Sequence, residues 1–307
     1  MVPDVFITYV PAAVSVTGLL AGVFDAAEMP LARYAFLRDR GEPYVAIPVF
    51  PDRLFIQQYV YTRPDTGIQS TADLRGRRVL VPNYYMTSSI WHRAMLKEDH
   101  GIAPSEVRWH TTSPEPDPRM AFPDGVGVVL SRGTHLGSDR LLDGTVDCIM
   151  TEGTPLPEDD RFRRVHRDSA GLQKDYYRRT GVHTIVHVVA VSRRAVDERP
   201  QILEDLCQAF DRAKGIAYRA LQNERMTSLP LMRSYLDETV ALFGTDPWPY
   251  GLDRNRGELD LFLAHAHEQG LTGRRLDPED LFESPSREYP FSAQLPRAAG
   301  PGPTFLP

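Results

Sequence analysis

The chain has little cysteine, no long apolar run and no surplus of positive charge. Its 2 cysteines among 307 residues, Cys148 and Cys207, stand in unrelated contexts. That argues against a disulfide framework or a thiolate metal site and predicts a reducing, cytoplasmic setting. No stretch reaches the roughly 18 consecutive apolar residues of a membrane span. The opening MVPDVFITYV has neither a basic leader nor the apolar run and cleavage site of a secretory signal. A formal charge of −6, with no sustained Lys/Arg run, leaves no electrostatic footprint for nucleic acid. GxGxxG, P-loop and HExxH patterns are absent as well, and GVGVVLSRG has the wrong glycine spacing for a dinucleotide loop. His265 and His267 lie two apart in a helical stretch and face different ways, so they do not share a metal. No cofactor or metal is expected, and neither nucleic acid nor membrane; the partner left is a small molecule.

What is present is an alternation of strand-like and helix-like segments, with 42% hydrophobic residues, enough for a packed core. Residues 24 to 65 organise the rest. FDAAEM reads as a strand, PLARYAFLRDR as an amphipathic helix stopped by Gly41 and Pro43, and YVAIPVF as the next strand. Glu28 falls at the strand–helix joint and Arg53 just beyond the strand, where loops at the carboxyl ends of strands form the crevice of an open α/β sheet. A carboxylate and a guanidinium there suit a polar, carboxylated small molecule.

Other strands are expected at Val5 to Val10, IQQYVYTR, RRVLVP, VRWHTT, GVGVVL, VDCIM and TIVHVVAV. Helices are expected at PAAVSVTGLLAG, capped by Ser15 or Thr17, at TSSIWHRAMLKEDH, capped by Thr87 or Ser88, from about Pro200 to Leu221, and at RGELDLFLAHAHEQG. The order predicts an α/β fold of two lobes with a central crevice: residues 1–72 and 181–270 in the first lobe, 73–180 in the second, and 271–307 as a C-terminal extension. The Pro- and Gly-rich end of that extension offers little to pack.

Several side chains are candidates to line the crevice. His187 lies within an apolar strand and can exchange a proton near neutral pH. His183 shares its face if the strand already includes residue 183. Tyr85 could orient a hydroxyl, Thr87 could bind a carboxylate or cap its helix, and Trp91 could stack on an aromatic ring. In WPYGLDRNR, a glycine turn stands beside Tyr250, Asn255 and Arg256, which could close over the crevice. Each also has a structural reading as a cap, a core residue or a satisfied polar group.

Taken together, FDAAEMPLARY, IPVFPDRLF, DLRGRRVLVPNYYMTSSIW, the YYRRTG to IVH passage, WPYGLDRNR, HEQGL and DLF resemble the 4,5-dihydroxyphthalate decarboxylase family in content and order, over about residues 5 to 283. The resemblance implies a fold similar to type II periplasmic substrate-binding proteins and to the chorismate dehydratase-like enzymes of the futalosine route to menaquinone. It carries over Glu28, Arg53, Thr87, Trp91, His187, Tyr250, Asn255 and Arg256 as matching positions, and implies a homodimer. Three features depart from the pattern: LFIQQ follows Arg53 where the family has FRH-like residues, TIVH replaces PIMH, and the family's opening βα unit has no counterpart before Val5.

The implied reaction is cofactor-independent decarboxylation of a hydroxylated aromatic acid, with Arg53 gripping a carboxylate, His187 delivering a proton and Glu28 orienting it or acting as base. The alternatives are a solute-binding protein for an aromatic carboxylate and a futalosine-route enzyme acting on a larger ring acid.

Overall fold

The computed structural model describes residues 5–133, 137–156, 160–226 and 228–295. Its first part runs through α1 (Ala12–Leu20), β1 (Ala26–Pro30), α2 (Leu31–Asp39), β2 (Tyr44–Ile47), β3 (Val60–Thr62), β4 (Arg78–Val81), α3 (Thr87–His100), β5 (Arg108–Thr111), β6 (Val128–Leu130) and α4 (Ser138–Leu142). There follow β7 (Cys148–Met150), β8 (Arg163–Arg164), α5 (Ser169–Thr180), β9 (His187–Ser192), α6 (Arg193–Glu198), α7 (Ile202–Gln222), α8 (Met232–Phe243) and α9 (Leu252–Glu268).

Two sheets give the fold its two lobes. The first has the order β1-β9-β2, and the second β6-β5-β4-β7-β3-β8. The expected strand–helix–strand unit is present as β1, α2 and β2, yet its strands are not neighbours. β9 lies between them, antiparallel to both. Its residues Val188 to Ser192 are all buried, as expected of a central strand covered on both faces. In the second sheet, β4 pairs in parallel with β5 and β7. β3 belongs to this sheet through antiparallel pairing with β7 and β8, so the boundary expected at residue 72 moves to before residue 60. A 3-10 turn, Ile56–Tyr59, immediately precedes β3.

The opening strand expected at Val5 to Val10 does not form. Among the described residues that segment pairs with no strand, and its Phe6, Ile7 and Tyr9 are exposed. α1 starts after Pro11, which pre-sets the backbone but supplies no side-chain cap. Ser15 and Thr17 lie inside the helix, where Ser15 donates to the Glu28 carbonyl at 3.2 Å and Thr17 to the Ala13 carbonyl at 2.7 Å. β9 begins at His187, three residues after the expected start at Thr184, which leaves His183 outside the strand. Of the C-terminal extension, residues 296–307 lie outside the described residues.

α3 carries the contact between the lobes. Its buried residues run from Thr87 to Leu96, and it packs on α2 and α9 of the first lobe. Trp91 is fully buried against Phe262 of α9, ring centroids 5.4 Å apart. Among the described residues, no helix is long and apolar enough to cross a membrane.

Candidate active site

The carboxyl ends of β1 and β2 and the amino end of β9 meet at one edge of the first sheet, because Pro30 lies opposite His187 and Ile47 opposite Val189. The equivalent edge of the second sheet holds the end of β7, the start of β3 and the end of β8. Polar groups gather where these edges approach. Nδ1 of His187 stands 2.6 Å from Oε1 of Glu28 and 3.8 Å from Oδ2 of Asp52. The Asp52 carbonyl accepts hydrogen bonds from the amides of Val186 at 3.0 Å and His187 at 3.2 Å. Burial raises the pKa of Asp52 above its ordinary value, and the Glu28 charge adds to that while His187 opposes it. From the second lobe, Tyr59 stands close enough to feel the charges of Asp52 and Arg164, and burial raises the pKa of its hydroxyl.

Glu28 and His187 therefore come together as the sequence suggests. Arg53 does not join them. Its side chain is only 1% exposed, and its terminal nitrogens are turned inward, donating to the carbonyls of His183 and Pro249 at 3.0 Å each, to Glu258 at 3.1 Å and to Oδ1 of Asn255. It is a buried anchor, and the expected substrate clamp is corrected on that ground: the guanidinium has no free face toward a crevice. Asn255 completes the anchor, with Nδ2 donating to the carbonyls of Pro249 at 3.1 Å and Gly251 at 2.6 Å. Gly251 has φ 92°, a conformation that glycine adopts at low cost, and its amide donates to the Pro48 carbonyl at 2.8 Å.

The remaining expected wall residues are structural too. Trp91 donates its indole N–H to the Ile185 carbonyl at 3.0 Å. Thr87 accepts from the amide of Ala32 at 3.1 Å and does not cap α3, whose N-cap position is Met86. Tyr85 donates to the carbonyl of Ala121, with that of Gln269 3.0 Å away. Tyr250 is buried, which pushes its hydroxyl up to about 12, and Lys214 lies 4.5 Å from its ring centroid. Arg256 is on the surface of α9, paired with Glu279 and 3.5 Å from Asp253. His183 stacks on Phe55 at 4.4 Å between centroids, edge-on to Trp248.

Several of these side chains nevertheless act together, because they fix the segment that delivers His187. Arg53 holds the His183 carbonyl, Trp91 the Ile185 carbonyl, and Oε1 of Glu258 accepts from the Ile185 amide at 2.5 Å. Thr184 donates its hydroxyl to the Leu54 carbonyl and accepts the Leu54 amide on its own carbonyl. The sequence signal for the anchor lies in Asn255 and Glu258, three apart and hence on one face of α9. Asp52 and Tyr59 carry no comparable signal.

Burial holds the His92 and His183 imidazoles neutral, pushing each down to about 3. In the unfolded chain a histidine titrates near about 6.5. Between these values the unfolded state binds protons that the native state does not, so stability falls as pH drops through the window from about 6.5 to about 3. Urea denaturation across this range should show the loss, and a folded His92→Asn or His183→Gln protein should have a flatter profile.

No protein-family model matches the sequence. The chain is 32% identical over 276 residues to a 4,5-dihydroxyphthalate decarboxylase of Comamonas testosteroni, covering 86% of this chain and 84% of the relative. It is 34% identical over 169 residues to one of Pseudomonas putida, covering 50% of this chain and 64% of the relative. Among solved structures, the periplasmic aliphatic sulphonate binding protein SsuA of Escherichia coli superposes with a TM-score of 0.52 at 13% identity, over 88% of this chain and 79% of that one. That likeness identifies the fold as a two-lobed α/β fold resembling type II periplasmic-binding proteins. The identity and coverage of the first relative make the chain a member of the 4,5-dihydroxyphthalate decarboxylase family.

Proposed function

We propose that this protein decarboxylates a hydroxylated aromatic carboxylic acid without a cofactor, in the cytoplasm, with His187 as proton donor. The observation that carries the reading is the 2.6 Å contact between Nδ1 of His187 and Glu28, at the sheet edge where the two lobes approach. A carboxylate on Nδ1 fixes the ring and leaves Nε2 to face a substrate.

A hydroxyl ortho or para to the carboxylate pushes electron density into the ring. The carboxyl-bearing carbon takes the proton from Nε2, forming a C–H bond with a ring electron pair. The bond to the carboxylate then breaks, carbon dioxide leaves, and that bond's electron pair restores aromaticity. Glu28 stabilises the imidazolium before transfer and keeps the proton on Nδ1 afterwards.

The test is to incubate the protein with a panel of hydroxylated benzoates and phthalates while following carbon dioxide and ring products. Release of one carbon dioxide per ring product is expected for at least one ortho- or para-hydroxylated member, and none for the unhydroxylated acids. Binding of panel members without any turnover would reject the enzyme and leave a receptor for aromatic carboxylates.

A further inference from the structure

We propose that the groove between the N-terminal segment and α7 is a binding site for a small organic anion, a carboxylate or sulfonate carried on an apolar body. The inference does not depend on the decarboxylase reading, and no residue of the His187 edge lines the groove.

It begins with the pattern of α7. Ala209, Ala213 and Ile216 recur at i, i+4 and i+7 and form an apolar stripe, while Arg212 and Arg219, two turns apart, form a basic stripe beside it. The buried side of the helix is taken by Leu203, Leu206, Cys207 and Tyr218. The apolar stripe is therefore left outward, and Ile216 is 61% exposed. Val5 and Ile7 approach it from the N-terminal segment, and Ser292 and Ala293 from the C-terminal extension, bounding a groove of about 650 Å³. That is the size of a site for one small molecule.

The wall from the C-terminal extension is held by Asp211, which accepts from the amides of Ser292 at 3.1 Å and Ala293 at 3.0 Å and from the Ser292 hydroxyl at 2.9 Å. Its negative charge is thereby compensated by the protein's own donors. The two arginines have no such partner. Among the described residues, neither the Arg212 nor the Arg219 guanidinium makes an ion pair or a hydrogen bond. Gly215 lies between them, and a Cβ there would meet a terminal nitrogen of Arg219 at 3.5 Å and Ala293 at 3.7 Å. Arg219 thus folds back along the helix beside the groove floor, where its charge faces the same space as Ile216. Two uncompensated positive charges around an apolar floor select an anion with an apolar body. A neutral hydrocarbon would leave both guanidinia unused, and a bare inorganic anion would leave Ile7 and Ile216 uncovered.

The experiment titrates the full chain with 1-anilinonaphthalene-8-sulfonate, an aromatic sulfonate that brightens in an apolar site. N-phenyl-1-naphthylamine, the same ring system without the charge, is titrated in parallel. Arg212→Gln, Arg219→Gln and Ile216→Glu are compared with the unaltered protein. All three positions are exposed, so the fold should tolerate the changes, and circular dichroism checks that it does. The expected result is saturable sulfonate binding that each arginine substitution weakens by about fivefold, the upper range for an exposed charge pair. Ile216→Glu should abolish it, and the neutral probe should be indifferent to the arginines. Absence of sulfonate binding overturns the proposal, as does binding that all three substitutions leave unchanged, which would place the probe elsewhere. Self-association, followed by light scattering, that Ile216→Glu abolishes while sulfonate binding stays intact overturns it as well and gives the groove to a second copy of the chain.

Discussion

Replacing His187 with glutamine is expected to slow single-turnover decarboxylation by about 10² to 10⁴-fold, while ligand affinity changes by no more than about threefold. The asymmetry follows from the proposed role. A proton donor acts where the new C–H bond is forming, so its loss falls on the transition state and leaves ground-state contacts with the ring and carboxylate in place. Glutamine retains polarity and approximate length, and His187 is a half-buried rim residue whose removal leaves no large cavity, so folding should survive. Circular dichroism and a denaturation curve establish that point before the rates are compared. Near-normal single turnover in the folded variant would remove His187 from the mechanism. Equal losses in binding and turnover would make it a substrate-binding group.

The second large effect is on stability. Arg53→Met is expected to cost about 3–5 kcal/mol, the usual range for breaking a buried ion pair from one side. Glu258, 9% exposed at its side chain and 3.1 Å from the guanidinium, would be left in the interior without its counter-charge. Burial already raises the pKa of Glu258 even with Arg53 present to lower it. The double change Arg53→Met with Glu258→Leu should recover much of the loss, since the buried charge goes with it. Arg53→Lys should recover little, because one ammonium does not reach the four acceptors that the guanidinium fork spans. Urea midpoints at constant m-value give the comparison. A stable Arg53→Met protein with impaired substrate binding would reverse the assignment and return Arg53 to the crevice.

The contrast between His187 and Arg53 indicates what can be read from the sequence. The strand–helix–strand order around residues 24 to 65 is local, so hydrophobic periodicity and the Gly41–Pro43 stop are enough to reveal it. His187 is also legible, because it opens a strand within an apolar run, and Glu28 is legible as the one charged residue of the short strand before α2, although it sits in the middle of β1 and not at the strand–helix joint. The neighbour relations of the strands are not, since hydrophobic pattern does not say that β9 separates β1 from β2. Arg53 looks like a crevice group because its own neighbourhood ends a strand. Its real partners are Asn255 and Glu258, about 200 residues later, and their three-residue spacing on a helix is the only local sign of them. Asp52 has no sign of that kind. Its carbonyl meets two amides more than 130 positions away.

The placement of β9 also governs how the polypeptide acquires its shape. Until residues 187–192 have left the ribosome, β1 and β2 have no strand between them, and the whole of the second sheet must be synthesised first. Closing that loop is a long-range event, of the sort that slows folding and prolongs exposure of unsatisfied strand edges. The nascent first half is therefore the stage most open to misassembly and the natural client of a chaperone. A product truncated before β9 should accumulate as aggregate, whereas one that runs on through the buried Leu276, Leu281 and Phe282 to residue 295 should remain soluble, a difference that timed release of ribosome-bound chains would reveal.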